Sequence, residues 1–258
     1  MSKNYWAERT AAAQEKLTDK NIKKTDKQIR KYYADAMASV IDSFEATYDK
    51  LLATSEDPSP ATLYNLERYW KLQGQLRQQL EKLGNRQASM LGKLFEIQFF
   101  DIYYSFALPS GKEFASIDKS MVQQMINHIW CADGKSWSSR IWDNTSKLQQ
   151  ALNDKLIECV LTGKKTTELK HLLQEQFNAS YNRADALVRT EMAHIQTQAA
   201  QKRYQDYGIR EVEVLVDKDS RTCPICAKHE GERYLVNATM PVPFHPRCRC
   251  CMVPVIDD

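Results

Sequence analysis

At 258 residues the chain can bury roughly 70–75% of its unfolded surface, so one or two ordinary hydrophobic cores can form without disulfide staples. With 43% hydrophobic and 27% charged residues it falls among folded globular chains and outside the disordered class. Thirty-six basic against 33 acidic residues leave +3, too small a balance to mark a polyanion binder, so any nucleic-acid argument must rest on a local patch.

Glycine contributes only 8 residues, about 3% against a usual ~7%, which disfavours a turn-rich all-β design and favours helices. No run of about 18 apolar residues appears, and the opening MSKNYWAERT is polar with no apolar stretch behind it, so the expected setting is inside a cell. In that reducing environment clustered cysteines bind metal more often than they form disulfides.

From Trp6 to about Leu52 the pattern is helical. Lys16, Lys20, Lys23, Lys24, Lys27, Arg30 and Lys31 advance in steps of one, three and four, which at about 100° per residue confines them to an arc of about 120°. Ile22, Ile29, Tyr33 and Val40 take a different face, giving one helix with a buried and a basic stripe. The stretch EDPSP, residues 56–60, breaks it.

A second helical region is predicted from about Thr62 to Leu108, with Leu66, Tyr69, Leu72, Leu76, Leu80 and Leu83 at three-and-four spacing and Gly74, Gly84 and Gly92 as candidate breaks. Its end, LGKLFEIQFFDIYYSFAL, is apolar on nearly every side, which implies burial on several faces or a protein partner. Shorter helices are expected at 116–130, 138–161, 167–177 and 181–207, with Gly163 and Gly208 as terminating glycines. The tryptophans of WSSRIW read as packing residues.

After Gly208 the period changes to two: Val212, Val214 and Val216 share a face, with Glu211 and Glu213 between them, which predicts a strand. Further short strands are expected near 233–236 and 252–256. Five of the seven cysteines, Cys223, Cys226, Cys248, Cys250 and Cys251, lie in the last 36 residues together with five of the eight prolines. The fold class is therefore mainly α with a small C-terminal α+β module: an elongated helical body followed by a zinc-stabilised small sheet.

Cys223-Pro-Ile-Cys226 and His245-Pro-Arg-Cys248-Arg-Cys250 are two short pairs separated by a loop, the way a tetrahedral zinc site is supplied, each pair occupying one edge of the metal. His245 and Cys248 repeat the two-residue gap of the first pair, so the preferred set is Cys223, Cys226, His245 and Cys248, with Cys250 as the alternate ligand. Cys251 would point away on an extended strand, and His229 reads as a loop histidine. More thiolate is present than four positions need, which favours a closed structural zinc site over a catalytic one with an open position.

The succession Arg189-Thr190-Glu191 in a helix rich in Ala and Gln, Tyr207-Gly208, the valine strand, Asp219-Ser220-Arg221-Thr222-Cys223-Pro224-Ile225-Cys226, Gly231, and Pro243-Phe244-His245-Pro246-Arg247-Cys248-Arg249-Cys250 resembles the Mu F-like family of bacteriophage minor head proteins, also called phage head morphogenesis proteins. The match runs over roughly residues 140–256. Two departures stand out: Cys251 is an extra thiol, and EVEVLVD carries valine or leucine where a tryptophan is expected. The resemblance implies a minor capsid component of the virion, acting in prohead assembly at the portal and capsid interior and in handling packaged or ejected DNA, and no established catalysis. Its implied partners are the portal protein, the major capsid or scaffolding protein, and double-stranded DNA bound non-specifically; the host cytoplasm is the setting during assembly and the head interior afterwards.

On this reading residues 1–139 form a helical N-terminal body with the basic amphipathic helix, and residues 140–258 a Mu F-like domain ending in a Cys/His zinc module at about 209–258. The basic stripe is a candidate contact for DNA phosphates or an acidic portal surface, and Arg247 and Arg249 could add a second basic spot. Arg189, Thr190, Glu191, Gly208, Asp219, Arg221 and Pro246 are family-signature positions with an expected structural role. Arg189 and Glu191 lie two apart, so they cannot pair across one helix face. Glu191-Met-Ala-His194 lacks the second copy that a di-iron bundle needs, and no Walker or Gly-x-Ser-x-Gly sequence occurs. The protein is therefore expected not to be an enzyme; a nuclease or ADP-ribosyltransferase, and a zinc-dependent DNA-binding regulator, are the alternatives.

Overall fold

The structure, a computed structural model, describes residues 5–53, 67–106, 116–217, 219–220 and 222–256. In chain order the elements are α1 (Tyr5–Leu52), α2 (Glu67–Tyr103), α3 (Lys119–Asn127), α4 (Trp137–Leu161), α5 (Thr166–Tyr207), β1 (Glu211–Leu215), α6 (Pro224–Ala227), β2 (Arg233–Leu235) and β3 (Cys251–Pro254). The mainly helical class with a small C-terminal sheet is as expected from the sequence. The EDPSP break, Thr62 to Leu66 at the start of the second helical region, and Arg221 lie outside the described residues.

Two compact units are present, and they interleave along the chain: residues 1–25, 91–137 and 186–258 form one, residues 26–90 and 138–185 the other. Neither coincides with 1–139 or 140–258, because α1, α2 and α5 each contribute to both.

The second unit is built from four helical segments whose apolar residues recur at three-and-four spacing. Ile29, Tyr33, Val40 and Phe44 of α1, Tyr69, Leu72, Leu76, Leu80 and Leu83 of α2, Leu148, Leu152 and Leu156 of α4, and Leu169, Leu173 and Phe177 of α5 are all buried. Gly163 ends α4 in the left-handed conformation (φ 61). Lys164 N donates to Cys159 O and Gly163 N to Val160 O, the paired bonds of a Schellman cap. Gly208 (φ 80) ends α5 the same way, with Ile209 N donating to Tyr204 O and Gly208 N to Gln205 O.

Two expectations are corrected. Residues 166–207 form one helix where two were predicted, because Ser180 sits in the interior of the unit: Asn144 Nδ2 donates to its carbonyl at 3.0 Å, and its hydroxyl lies 3.1 Å from Tyr33 Oη. The glycines of α2 also do not break it. Within their own units, a Cβ added at Gly92 would make ordinary contact with the ring of Trp137 at 3.7 Å, whereas Gly84 lies under the ring of Trp142 so closely that an added Cβ would meet it at 2.6 Å. The two tryptophans of WSSRIW both pack against α2, Trp142 with its outer part exposed, and Gly84 is the place that admits a ring where a side chain would not fit.

The first unit surrounds the C-terminal half of α5. Its sheet has the order β2-β1-β3, antiparallel throughout, with Val212 opposite Tyr234 and Pro254, and Val214 opposite Met252. Val212, Val214 and Val216 face inward as their spacing predicts, and β3 is buried along its length. The apolar end of α2 packs largely within this unit: Leu91, Leu94, Phe95, Phe99, Ile102, Tyr103 and Phe106 are buried, while Ile97 and Tyr104 are exposed. Among the described residues, no helix is long and apolar enough to cross a membrane.

The glycines of α2 give a test with opposite signs. Gly74 has open space around its Cβ direction, so Gly74→Ala is expected to raise stability by about 0.5–1 kcal/mol through helix propensity. Gly84→Ala is expected to lower it by about 1 kcal/mol, because the displaced Trp142 ring outweighs that gain. Urea denaturation of both variants against the parent measures the difference.

Candidate metal centre

Cys223 caps α6. Its backbone is extended (φ −85, ψ 158), its Sγ accepts from Cys226 N at 3.4 Å, and Pro224 opens the helix, where its missing N–H costs nothing. One tight turn thus brings Cys223 and Cys226 to the same side. The second arm turns at His245–Cys248: Cys248 N donates to His245 O at 3.1 Å, and Arg247 takes a left-handed backbone (φ 62). Cys250 follows at the entrance to β3.

The two arms converge. His245 Nε2 lies 3.1 Å from Cys223 Sγ and 3.0 Å from Cys226 Sγ, and Cys226 Sγ lies 3.8 Å from Cys248 Sγ. The donor atoms of Cys223, Cys226 and His245 all fall within 4.8 Å of one another, and so do those of Cys226, Cys248 and Cys250. Cys226 is common to both triads, and Cys250 stands inside the cluster alongside Cys248. The 3.8 Å sulfur separation equals the edge of a tetrahedron with Zn–S bonds of about 2.3 Å. The imidazole contacts are about half an ångström shorter than the corresponding edge, so His245 would back away slightly from the sulfurs around a metal. Thiolates with one imidazole in a tetrahedral cluster suit zinc. His245 Nδ1 lies 2.8 Å from Pro246 O; as a donor there it leaves Nε2 a lone pair facing the sulfurs.

The thiols divide their protons unevenly. Cys248 is held down at about 5, chiefly by its hydrogen bond with Cys250, and that same bond raises Cys250. Burial pushes Cys226 up to about 12, while the backbone N–H of Cys226 lowers Cys223. Without metal the charge therefore concentrates on Cys248, and a bound divalent ion would displace protons from its neighbours.

Other residues of the tail take supporting places. Cys251 is buried outside both triads, its thiol raised to about 12 by burial. His229 stacks on Phe244 at 4.1 Å, with Nδ1 2.8 Å from Glu232 Oε2, which leaves it a loop histidine. Arg249 is not a free basic spot: Asp219 receives its NH1 and NH2 at 2.9 and 2.6 Å, and Asp217 receives NH1 as well.

The signature on α5 sits against this tail. Thr190 Oγ1 donates to Ala186 O at 2.7 Å and accepts from Arg247 N at 3.1 Å. Glu191, 4% exposed, accepts from Trp130 Nε1 at 3.1 Å. His194, one turn on, stacks on the Trp130 ring at 4.3 Å. Arg189 is half-buried on the same turns. Trp130 is the residue that sequence reasoning missed: the helix expected over 116–130 ends at Asn127, and Trp130 lies beyond it in irregular chain.

The basic stripe is where the spacing predicts. Lys16, Lys20, Lys23 and Lys24 in the first unit and Lys27, Arg30 and Lys31 in the second are all exposed on α1. Arg30 pairs with Asp26 at 2.8 Å.

Residues 150–253, about two fifths of the chain, match the family model described as Phage Mu protein F like protein. Over that stretch the chain is similar to the family, and the matched segment contains both cysteine arms and the α5 signature. No curated protein and no solved structure gives a match.

Two measurements follow from this geometry. Elemental analysis of the purified chain is expected to find one zinc per molecule, lost in Cys226→Ser, which removes the donor common to both triads, and in Cys248→Ser. Cys223→Ser and Cys250→Ser, made separately, identify the remaining thiolate, since the variant that keeps its zinc lacks only the spare donor. The second concerns His194, whose Nε2 has no hydrogen-bond partner among the described residues and whose pKa burial lowers to about 4, with His128 adding to the shift. Its charged form is penalised only in the folded state, so its contribution is complete above ~6.5, the unfolded value, and is withdrawn as pH falls from there to about 4. The loss amounts to ~3 kcal/mol, and His194→Phe, which keeps the stack, is expected to flatten that part of the stability profile in urea titrations.

Proposed function

Starting from a Mu F-like segment that ends in a converged thiolate cluster, we propose that this protein is a minor structural component of a phage head. It acts in prohead assembly, docking to the portal protein and to the major capsid or scaffolding protein at the capsid interior. It is made in the host cytoplasm and retained in the virion. The observation that carries the reading is the family match over residues 150–253, coincident with the two cysteine arms.

Zinc, bound by four of Cys223, Cys226, His245, Cys248 and Cys250, serves as a structural cofactor: five donors for four positions favour a filled shell over one with room for water. It draws together arms that are short on core of their own. The role is structural and not catalytic. An ADP-ribosyltransferase or nuclease built on Glu191 would need that carboxylate open to substrate, and it is buried against Trp130. A zinc-dependent regulator of transcription would need a helix free to enter the major groove, and α6 has only four residues.

The exposed stripe on α1 supports contact with packaged or ejected double-stranded DNA, through phosphates and without sequence preference. Mass spectrometry of purified virions is expected to find the chain at low copy number; its absence from particles overturns the proposal. Replacing Lys20, Lys23, Lys24 and Lys27 by Gln is expected to weaken DNA retention and to flatten the slope of log K against log salt by about 3 to 4, at about 0.9 for each phosphate left without its lysine. An unchanged slope assigns the stripe to an acidic protein surface or to solvent.

A further inference from the structure

The second ligand arm, residues 245–250, carries a left-handed backbone at a non-glycine position, Arg247 (φ 62), a conformation that persists only when surroundings hold it. Two contacts from outside the cluster do so, and they grip the residues on either side of Cys248.

On one side, the Arg247 N–H donates to Thr190 Oγ1 at 3.1 Å. The Thr190 hydroxyl has already given its own proton to Ala186 O at 2.7 Å, so the oxygen presents a lone pair to the loop and its orientation is fixed by α5. On the other side, the Arg249 guanidinium is bound by both carboxylate oxygens of Asp219, at 2.9 and 2.6 Å, with Asp217 adding a further acceptor. Asp217 and Asp219 lie on the chain between β1 and the first cysteine arm, so this ion pair ties the two arms to each other with planar, two-point geometry. The first contact ties the second arm to the helix beneath it.

We infer that Thr190 and Asp219 are positioning residues for the metal centre: neither is a ligand, and together they hold the His245–Cys250 arm in its metal-binding shape and set how slowly the metal leaves. The inference rests on the reading of the cysteine cluster as a zinc site. It gives a physical role to two positions that the family resemblance marks but whose chemistry a motif alone does not reveal.

The test uses the full-length chain loaded with zinc, measuring zinc release to a colorimetric chelator and equilibrium competition, with far-UV circular dichroism as a check on the helices. Thr190→Val keeps the shape of the side chain and removes the acceptor; it is expected to speed zinc release about tenfold, the lower end of what outer partners of metal ligands contribute, at unchanged helical content. Thr190→Ser restores the acceptor and is expected to stay within about twofold of the parent, on the same scale. Asp219→Asn, at an exposed position that leaves the helices untouched, is expected to speed release by a similar factor. Zinc release from both Thr190→Val and Asp219→Asn at the parental rate overturns the inference, as does a Thr190→Ser variant as leaky as Thr190→Val. A parent chain that binds no zinc fails earlier and takes the metal reading with it, so the two failures are distinguishable.

Discussion

Glu191 through Thr197 are buried without interruption, about two turns of α5 with no side facing water. An amphipathic helix needs one apolar stripe; a helix enclosed on every side must instead find a specific partner for each polar group it carries. The first unit is arranged around that requirement. Glu191 accepts from Trp130 Nε1, Gln196 accepts from Thr18 of α1 at 2.6 Å, and His194 takes the Trp130 ring as a stacking surface, its Nε2 left without a hydrogen bond among the described residues. Gln201 donates to the carbonyls of Val236 and Ala238, and Tyr204 donates to Met252 O. The Arg203 guanidinium lies over the rings of Tyr103 and Tyr207, at 5.3 and 3.9 Å. Between them these contacts reach α1, the end of α2, the chain after α3 and the sheet, so several neighbours are positioned from one rod.

The same demand explains the N-terminal part of α1. Its buried face begins not with apolar residues but with Thr10, Gln14, Asn21 and Thr25, and the polar groups form a ladder. Gln98 Nε2 donates to Thr18 Oγ1 at 2.6 Å, and Asn21 Nδ2 donates to Gln98 Oε1 at 2.8 Å and to Asp101 Oδ2 at 3.2 Å. Gln14 Nε2 donates to both Tyr204 Oη and Met252 O. Buried hydrogen bonds of this kind add little net stability each, but a shifted register would leave several groups unpaired at a cost of about 1–3 kcal/mol apiece. The ladder therefore sets alignment more than strength.

These two features mark where the sequence was legible. Apolar periodicity identifies the stripes of α1, α2 and α4, the alternation of Val212, Val214 and Val216 identifies β1, and Gly163 and Gly208 close their helices because only an achiral residue enters the left-handed region freely. The cysteine pairs were equally readable, since donor chemistry and spacing together leave few alternatives. Three things were not. Ser180 and its neighbours read as a break because Asn and Ser are mild helix formers, yet tertiary contacts to Tyr33 and Asn144 override so small a preference. Gly84 read as a break because the Trp142 ring that needs the space lies more than 40 residues away. The seam from Thr10 to Thr25 gave no signal, since polar residues at core spacing are indistinguishable from a surface face until their partners are known.

The cysteine-rich module shows how a part with little core can still be well placed. β1, β2 and β3 have five, three and four residues, and a sheet of such short strands is not stable alone. What it lacks in area it gains from attachment at separated points: Met252 O receives Tyr204 and Gln14, Val236 O receives Gln201, and the turn at Arg247 is held from Thr190. Each attachment restricts the arms before any ion arrives, so a bound metal has less chain entropy to overcome. Thr190 and Asp219 then have a common physical basis, since each meets the His245–Cys250 arm, one at Arg247 and the other at Arg249. They are far apart in sequence because one contact comes from α5 and the other from the chain leaving β1, elements that only the fold brings to the same arm.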